Sequence, residues 1–181
     1  QAPKDPNAAR ALNNAAVAYE NIGRFSSASQ TYKRIYSAYP DSEFADDALL
    51  RTGFNHARFF EYDEAVGSYT ILAEDERYKD SEFRDESLQN AAEVLDALQE
   101  YERSSQMYQR FAEQTPDPAE AAEARFKAAQ VLGKTEKHKK TISAYQAFLN
   151  QHTADAGQSE RVVEAQLRIG QAHEQLGNQK K

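Results

Sequence analysis

Apolar side chains recur at three- and four-residue spacings along nearly the whole chain, in long stretches separated by short polar breaks. That is the period of helices burying one face, and no stretch shows the period of two that marks a strand. The pattern predicts nine helices, at roughly 8–22, 25–39, 42–60, 62–76, 80–98, 101–115, 118–133, 137–152 and 157–176. The class is all-α. Tyr32, Tyr69, Tyr108 and Tyr145 recur at intervals of 37, 39 and 37 residues. Four residues before each stands a small side chain (Ala28, Ala65, Ser104, Thr141), and three after each a bulky one (Ile35, Leu72, Phe111, Phe148). A period of this size means stacked helical units, none of which can bury its apolar face alone. The helices therefore pair as A and B in four complete units, about 9–41, 42–79, 80–117 and 118–156, followed by a lone A helix over 157–177.

Local chemistry marks the ends. Asp41-Ser42-Glu43-Phe44 and Asp80-Ser81-Glu82-Phe83 are the same four residues, and Ser159-Glu160 echoes their centre. A Ser or Asp there is expected to accept from free N–H groups of the first turn, with Ser42 or Ser81 worth about 1 kcal/mol as a cap. Asp117-Pro118 places an acceptor before a proline at the first helical position. Tyr39-Pro40 and Thr115-Pro116 close the helices before them, because proline disfavours helix in the preceding residue. Ala16, Gly53, Ala92, Ala129 and Gly170 occupy one site in the five A helices, followed three residues on by Tyr19, His56, Leu95, Leu132 and His173. Glycine inside a helix costs roughly 1 kcal/mol against alanine, so Gly53 and Gly170 point to close backbone contacts. Gly23 and Gly177 fall where a helix end takes a left-handed residue.

Ala15, Ala16, Tyr19, Gly23, Phe25, Ala28, Tyr32, Ile35 and Pro40 follow the tetratricopeptide-repeat pattern, which the chain resembles over about residues 8–177. The resemblance implies a right-handed α-solenoid of antiparallel helix pairs that serves as a non-catalytic scaffold for protein partners. Ser104 and Thr141 depart from the pattern's alanine, and Arg77 and Thr153 from its proline. The period also exceeds the family's, and the surplus is expected to lengthen helices and inter-unit turns by about one turn. Tyr39-Pro40-Asp41-Ser42, with Ala45, Ala48 and Leu49, is similar to the repeat junction of bacterial envelope proteins of the BamD/YbgF type. That likeness implies a periplasmic or outer-membrane-associated protein, with a cytoplasmic one as the alternative. The chain begins at Gln1 rather than Met, so a fragment of a longer protein is expected, with room for a signal, lipid anchor or further domain outside these residues.

The family further implies that the A-helix face opposite the packing positions lines a concave groove. Counted from the tyrosines, that face holds Arg10, Asn13, Val17, Glu20 and Asn21; Asp47, Leu50, Phe54, Ala57 and Arg58; and Glu86, Gln89, Glu93, Asp96 and Ala97. The later helices add Glu123, Phe126, Gln130, Gly133 and Lys134, then Glu164, Leu167, Gln171, Glu174 and Gln175. Eight of these are acidic and three basic, so the face concentrates most of the net charge of −7. Leu50, Phe54, Arg58, Glu86, Glu93, Asp96, Phe126, Gln130 and Leu167 are the expected peptide-binding residues, for an extended or helical segment carrying Lys or Arg. Leu50, Phe54, Phe126 and Leu167 are its apolar anchors, and the acids give on-rate and selectivity. Acids near helix N-termini also complement the dipole with no ligand at all, which covers Asp47, Glu86, Glu123 and Glu164. The family's best-known ligand mode clamps a C-terminal carboxylate with cations and Asn at positions that here hold Asn13 and Val17, Leu50 and Phe54, Gln89 and Glu93, and Phe126 and Gln130. No such cationic clamp is present.

Composition narrows the rest. The acidic balance argues against nucleic acid, which selects a basic footprint. No cysteine is available for disulfides or thiolate metal sites, and no apolar run is long enough to span a bilayer. The four histidines form no HxxxH or HxxE pairing, and scattered single glycines build no phosphate loop, so neither metal, cofactor nor catalysis is expected. Lys134, Lys137, His138, Lys139 and Lys140 form a basic run, read as a solvated turn or as contact with an anionic partner or lipid head groups. A second functional class is a self-assembly module acting through the exposed terminal repeat. Gln1–Asn7 reads as a disordered start.

Overall fold

The computed structural model describes residues 6–178, and every regular element in them is helical. The helices are α1 (Pro6–Asn21), α2 (Phe25–Ala38), α3 (Ala45–Arg58), α4 (Tyr62–Glu74), α5 (Arg84–Ala97), α6 (Tyr101–Gln114), α7 (Pro118–Leu132), α8 (His138–His152) and α9 (Ser159–Asn178). Two short 3₁₀ turns, Glu76–Tyr78 and Ala156–Gln158, lie between α4 and α5 and between α8 and α9. Pro6 and Asn7 open α1, while the remainder of the expected disordered start, 1–5, lies outside the described residues. The chain divides into two compact units, one ending at Val94 and one beginning at Leu95, within α5.

In the first unit α1 packs on α2, α2 on α3 and α3 on α4. Ala16, Ala28, Tyr32, Ile35 and Ala48 form a buried cluster there, flanked by Leu12, Val17, Tyr19, Tyr36 and Phe44. In the second unit α6 packs on α7, α7 on α8 and α8 on α9. Its cluster joins Ala122, Phe126, Ala129, Tyr145, Phe148, Leu149, Val162 and Ala165. Small alanines at the crossings let aromatic side chains from the neighbouring helix fill the space between them, as close packing demands.

The helix starts correct one expectation. α3 and α5 begin at Ala45 and Arg84, about one turn later than Ser42 and Ser81. Ser42 caps nothing: its backbone carbonyl accepts from Ala45 N–H at 3.0 Å, while its buried hydroxyl has no hydrogen-bond partner among the described residues. Ser81 Oγ accepts from Phe83 N–H at 3.2 Å and donates to Asp46 at 2.8 Å, tying the turn ahead of α5 to the start of α3. The repeated tetrapeptide therefore builds a turn ahead of the helix. Asp117 does cap α7, accepting from Ala119 N–H at 2.8 Å and Glu120 N–H at 3.3 Å, with Pro118 at the first helical position. α2 and α6 stop at Ala38 and Gln114, just ahead of Tyr39-Pro40 and Thr115-Pro116. The 3₁₀ turns place part of the surplus period in the junctions rather than in the helices.

The glycines divide as well. Gly23 is left-handed, with φ 73°. The same repeat position is left-handed at Phe60 (φ 62°) and Gln99 (φ 63°), where no glycine relieves it. Gly177 lies within α9 and ends no helix. At Gly53 the close contact is with a ring rather than a backbone: a Cβ there would stand 2.6 Å from Tyr69 Cζ. Gly170 is exposed, and a Cβ would meet nothing within 4 Å, so no close approach explains it.

Candidate functional site

The four period-setting tyrosines are all buried, and their surroundings define the surfaces on offer. In the first repeat, Glu20 of α1 accepts from Tyr32 Oη at 3.0 Å, from Arg51 Nη1 at 3.0 Å and from Asn55 Nδ2 at 2.8 Å. Asp47 holds the same guanidinium through Arg51 Nε at 2.9 Å. One carboxylate thus ties α1, α2 and α3, with 17% of its side chain exposed. Burial and the Glu20 charge push the Tyr32 hydroxyl well above its ordinary pKa. Glu20 belongs to the scaffold and is not a free groove acid.

Around Tyr69 the arrangement is more open. Phe54 stands edge-on to the Tyr69 ring at 5.9 Å and remains 38% exposed. Burial raises the Tyr69 pKa, with Glu86 and Glu93 adding to the rise. Both carboxylates therefore act on the same tyrosine that supports Phe54. Glu86 and Glu93 are exposed, and among the described residues neither has an ion-pair partner. Arg58 is exposed and lies over the Phe25 ring at 5.1 Å.

The second unit differs. Phe126 packs edge-on against Tyr145 (5.8 Å) and Phe148 (5.3 Å). Beside them opens a cleft of about 790 Å³, lined by Gln130, Gly133, Lys134, Tyr145, Arg168 and Ala172 among others. Asp96 accepts from Lys134 Nζ at 2.6 Å. Glu123 accepts from Lys127 at 3.0 Å and Arg161 at 3.2 Å, and Glu164 from Arg168 at 3.2 Å.

Two expected apolar anchors are not available as such. Leu50 and Phe126 are buried core residues, because their helices turn these positions toward the neighbouring helix. Phe54, Arg58 and Leu167 are exposed, Gln130 is half-buried on the cleft wall, and Asp96 is half-buried and paired. Glu86 and Glu93 join Phe54 around Tyr69, while Asp96, Gln130 and Leu167 belong to the second unit. On three A helices a cation stands four residues after an acid of this face. Asp47 and Arg51, Glu123 and Lys127, and Glu164 and Arg168 are one recurring pair. That spacing is legible in the sequence as an i,i+4 ion pair, and with it the face is far less acidic than its first tally.

The basic run is likewise partly spoken for by its own unit. Lys137 donates to Glu102 at 2.6 Å, and Lys140 binds the other oxygen of that carboxylate. The two ammonium groups hold the Glu102 pKa down at about 2. Among the described residues no three His, Asp or Glu side chains are grouped to hold a metal, and no helix is long and apolar enough to cross a membrane.

The tetratricopeptide-repeat family profile matches residues 9–42. No curated protein sequence shows a significant match. Among solved structures, MamA protein is similar, at 18% identity and a TM-score of 0.56, over 93% of this chain and 82% of that one. A tetratricopeptide repeat protein from Parabacteroides merdae is 17% identical with a TM-score of 0.58, over 95% of this chain and 61% of its own. A putative kinesin light chain of Podosopora anserina, with tetratricopeptide-like repeats, is 11% identical with a TM-score of 0.54, over 98% and 91%. The local match and the shared fold agree with the packing of helix pairs seen in each unit. Residues 9–42 match a tetratricopeptide repeat, and the chain as a whole is all-α with a fold similar to those tetratricopeptide-repeat structures.

Proposed function

We propose that the chain is a non-catalytic scaffold whose first unit binds a protein segment carrying Lys or Arg beside an apolar side chain. Stacked helix pairs commonly present such binding surfaces. The observation that carries the reading is the group around Tyr69: a half-exposed Phe54 with two unpaired acids, Glu86 and Glu93, acting on the same ring. Phe54 offers an apolar contact, and the acids attract the cation and repel acidic competitors. The test is selection from a random peptide library, followed by titration of the winners. Basic-apolar sequences should emerge, weaken on Phe54→Ala, and lose their salt dependence on Glu86→Gln with Glu93→Gln. Winners without Lys or Arg, or binding indifferent to those substitutions, would refute it.

The setting we propose is bacterial envelope assembly, supported by the Tyr39-Pro40-Asp41-Ser42 junction alone; fractionation of the native protein tests it. A second reading, self-assembly through the last repeat, draws support from α9. Val163 and Leu167 lie one turn apart there and are 65% and 58% exposed. A mass by light scattering that stays monomeric across concentration, and does not change on Leu167→Glu, counts against it.

A further inference from the structure

The first and last repeats carry the same polar framework with two parts missing from the last. Tyr145 stands in the register of Tyr32, Arg168 in that of Arg51, and Glu164 in that of Asp47. The ion pair is kept: Arg168 donates to Glu164 at 3.2 Å, as Arg51 does to Asp47 at 2.9 Å. The central acceptor is not. Glu20 is matched by Gly133, and Asn55 by Ala172. All four side-chain positions, Gly133, Tyr145, Arg168 and Ala172, line the 790 Å³ cleft of the second unit. Trimming a glutamate and an asparagine has opened the space that their counterparts fill in the first repeat.

The Tyr145 hydroxyl and the outer guanidinium nitrogen of Arg168 have no shared carboxylate there. In the first repeat the tyrosine hydroxyl and the outer guanidinium nitrogen both donate to Glu20. In the last, the Tyr145 hydroxyl has no hydrogen-bond partner among the described residues, and Arg168 Nη1 reaches only the neutral amide of Gln171, at 3.4 Å. Lys127 and Lys134 also line the cleft, against the acids Asp96 and Glu174, and both lysines have partners of their own in Glu123 and Asp96. The guanidinium is oriented by Glu164, and the phenol is held by edge-on packing against Phe126. Both are therefore fixed before any ligand arrives, which reduces the cost of ordering them on binding.

We propose that the second-unit cleft binds a side-chain carboxylate, Asp or Glu, of an acidic partner segment. That carboxylate takes the place Glu20 holds in the first repeat, accepting from Tyr145 Oη and Arg168. The site uses a B-helix tyrosine and the arginine of the following A helix. It is separate from the Phe54 group and independent of the reading given to that group.

The probe is an alanine-rich decapeptide with a central Glu, titrated by NMR with Tyr145 side-chain signals as readout. The same peptide with Gln, and free glutarate, are the comparison arms. A charge-assisted hydrogen bond is worth about 1.5–3 kcal/mol, so Arg168→Gln should weaken the Glu peptide by roughly tenfold or more. Tyr145→Phe, which keeps the ring packing, should weaken it several-fold. Gly133→Glu should supply the missing carboxylate internally and abolish binding. Gly133 has right-handed backbone (φ −62°), and a Cβ there stands 3.1 Å from the Gln130 carbonyl oxygen. Ala172→Asn is the second filling variant should that contact unfold the helix end, and circular dichroism reports which variants are folded. Binding of the peptide without glutarate places the acid on a protein segment, as proposed. Glutarate binding as tightly as the peptide would overturn the segment in favour of a small dicarboxylate. Equal binding of the Glu and Gln peptides, indifference to Arg168→Gln in a folded variant, or no binding by either acid would overturn the carboxylate site itself.

Discussion

Tyr32 in the first unit and Tyr145 in the second occupy one repeat position and are almost equally buried, yet they end in different places. The Tyr32 hydroxyl meets a carboxylate that also holds an arginine and an asparagine. The Tyr145 hydroxyl meets a cleft. The rings do the same packing work in both units, because a phenol between small residues fills the helix crossing whatever lies at its tip. The tip is set by the residues around it. Packing of the ring is thus separate from what stands at its tip, which in the first repeat ties three helices together and in the last leaves a cleft.

The sharpest test of this separation lies in the glycines. Gly53→Ala drives a methyl into the Tyr69 ring, whose buried position leaves little room to give. It should lose about 3 kcal/mol in urea unfolding of the intact chain, at the upper end of overpacking costs. The register-matched Gly170→Ala meets nothing and should gain about 1 kcal/mol from helix propensity. Equal effects would mean that the ring contact does not set the packing.

Next in size is the carboxylate that one unit has and the other lacks. Glu20→Gln weakens three hydrogen bonds and leaves Arg51 with Asp47 alone. A loss of about 2 kcal/mol is expected, since bonds to charged groups are the stronger kind. A change near zero in the same unfolding assay would show the network to be idle.

The left-handed turn offers a smaller effect. Gln99→Gly and Phe60→Gly should each stabilise by about 1 kcal/mol in thermal melts, since both residues sit in a backbone region costly for side chains. At Phe60 the gain is reduced by the loss of its edge-on contact with Tyr62.

Smallest is an electrostatic effect in the second unit. Glu102, held at about 2 by Lys137 and Lys140, has a folded pKa below its ordinary value of 4.5. Its contribution is present above about 4.5 and is lost as pH falls toward 2. Titration of the Glu102 carboxyl by NMR should show the low midpoint, and Lys137→Met with Lys140→Met should return it toward the ordinary range.

Much of the fold was legible because helix period, proline and glycine act locally. Tyr39-Pro40, Asp117-Pro118 and Gly23 mark boundaries that the structure keeps. The misplaced starts at Ser42 and Ser81 show the limit of local chemistry. The same Ser that would cap a helix can instead serve a turn when the chain needs extra residues to reach the next helix. Thr141, a departure from the repeat's alanine, donates to the carbonyl of Leu132 at 2.9 Å, a helix-end bond that only the packed pair provides.

The candidate faces were legible as register and not as exposure. Counting from the tyrosines finds which residues share a helix face, since that follows from the period alone. It cannot tell that Leu50 and Phe126 turn into the core while Phe54 stays half-open, or that Glu20 is consumed by three donors. By itself the sequence determined the class, the repeat and the places where helices begin and end within about a turn, because these are set by neighbours along the chain. Tertiary structure decided which acids remain free and where a cleft opens, because both depend on side chains some thirty or more residues apart meeting across helices.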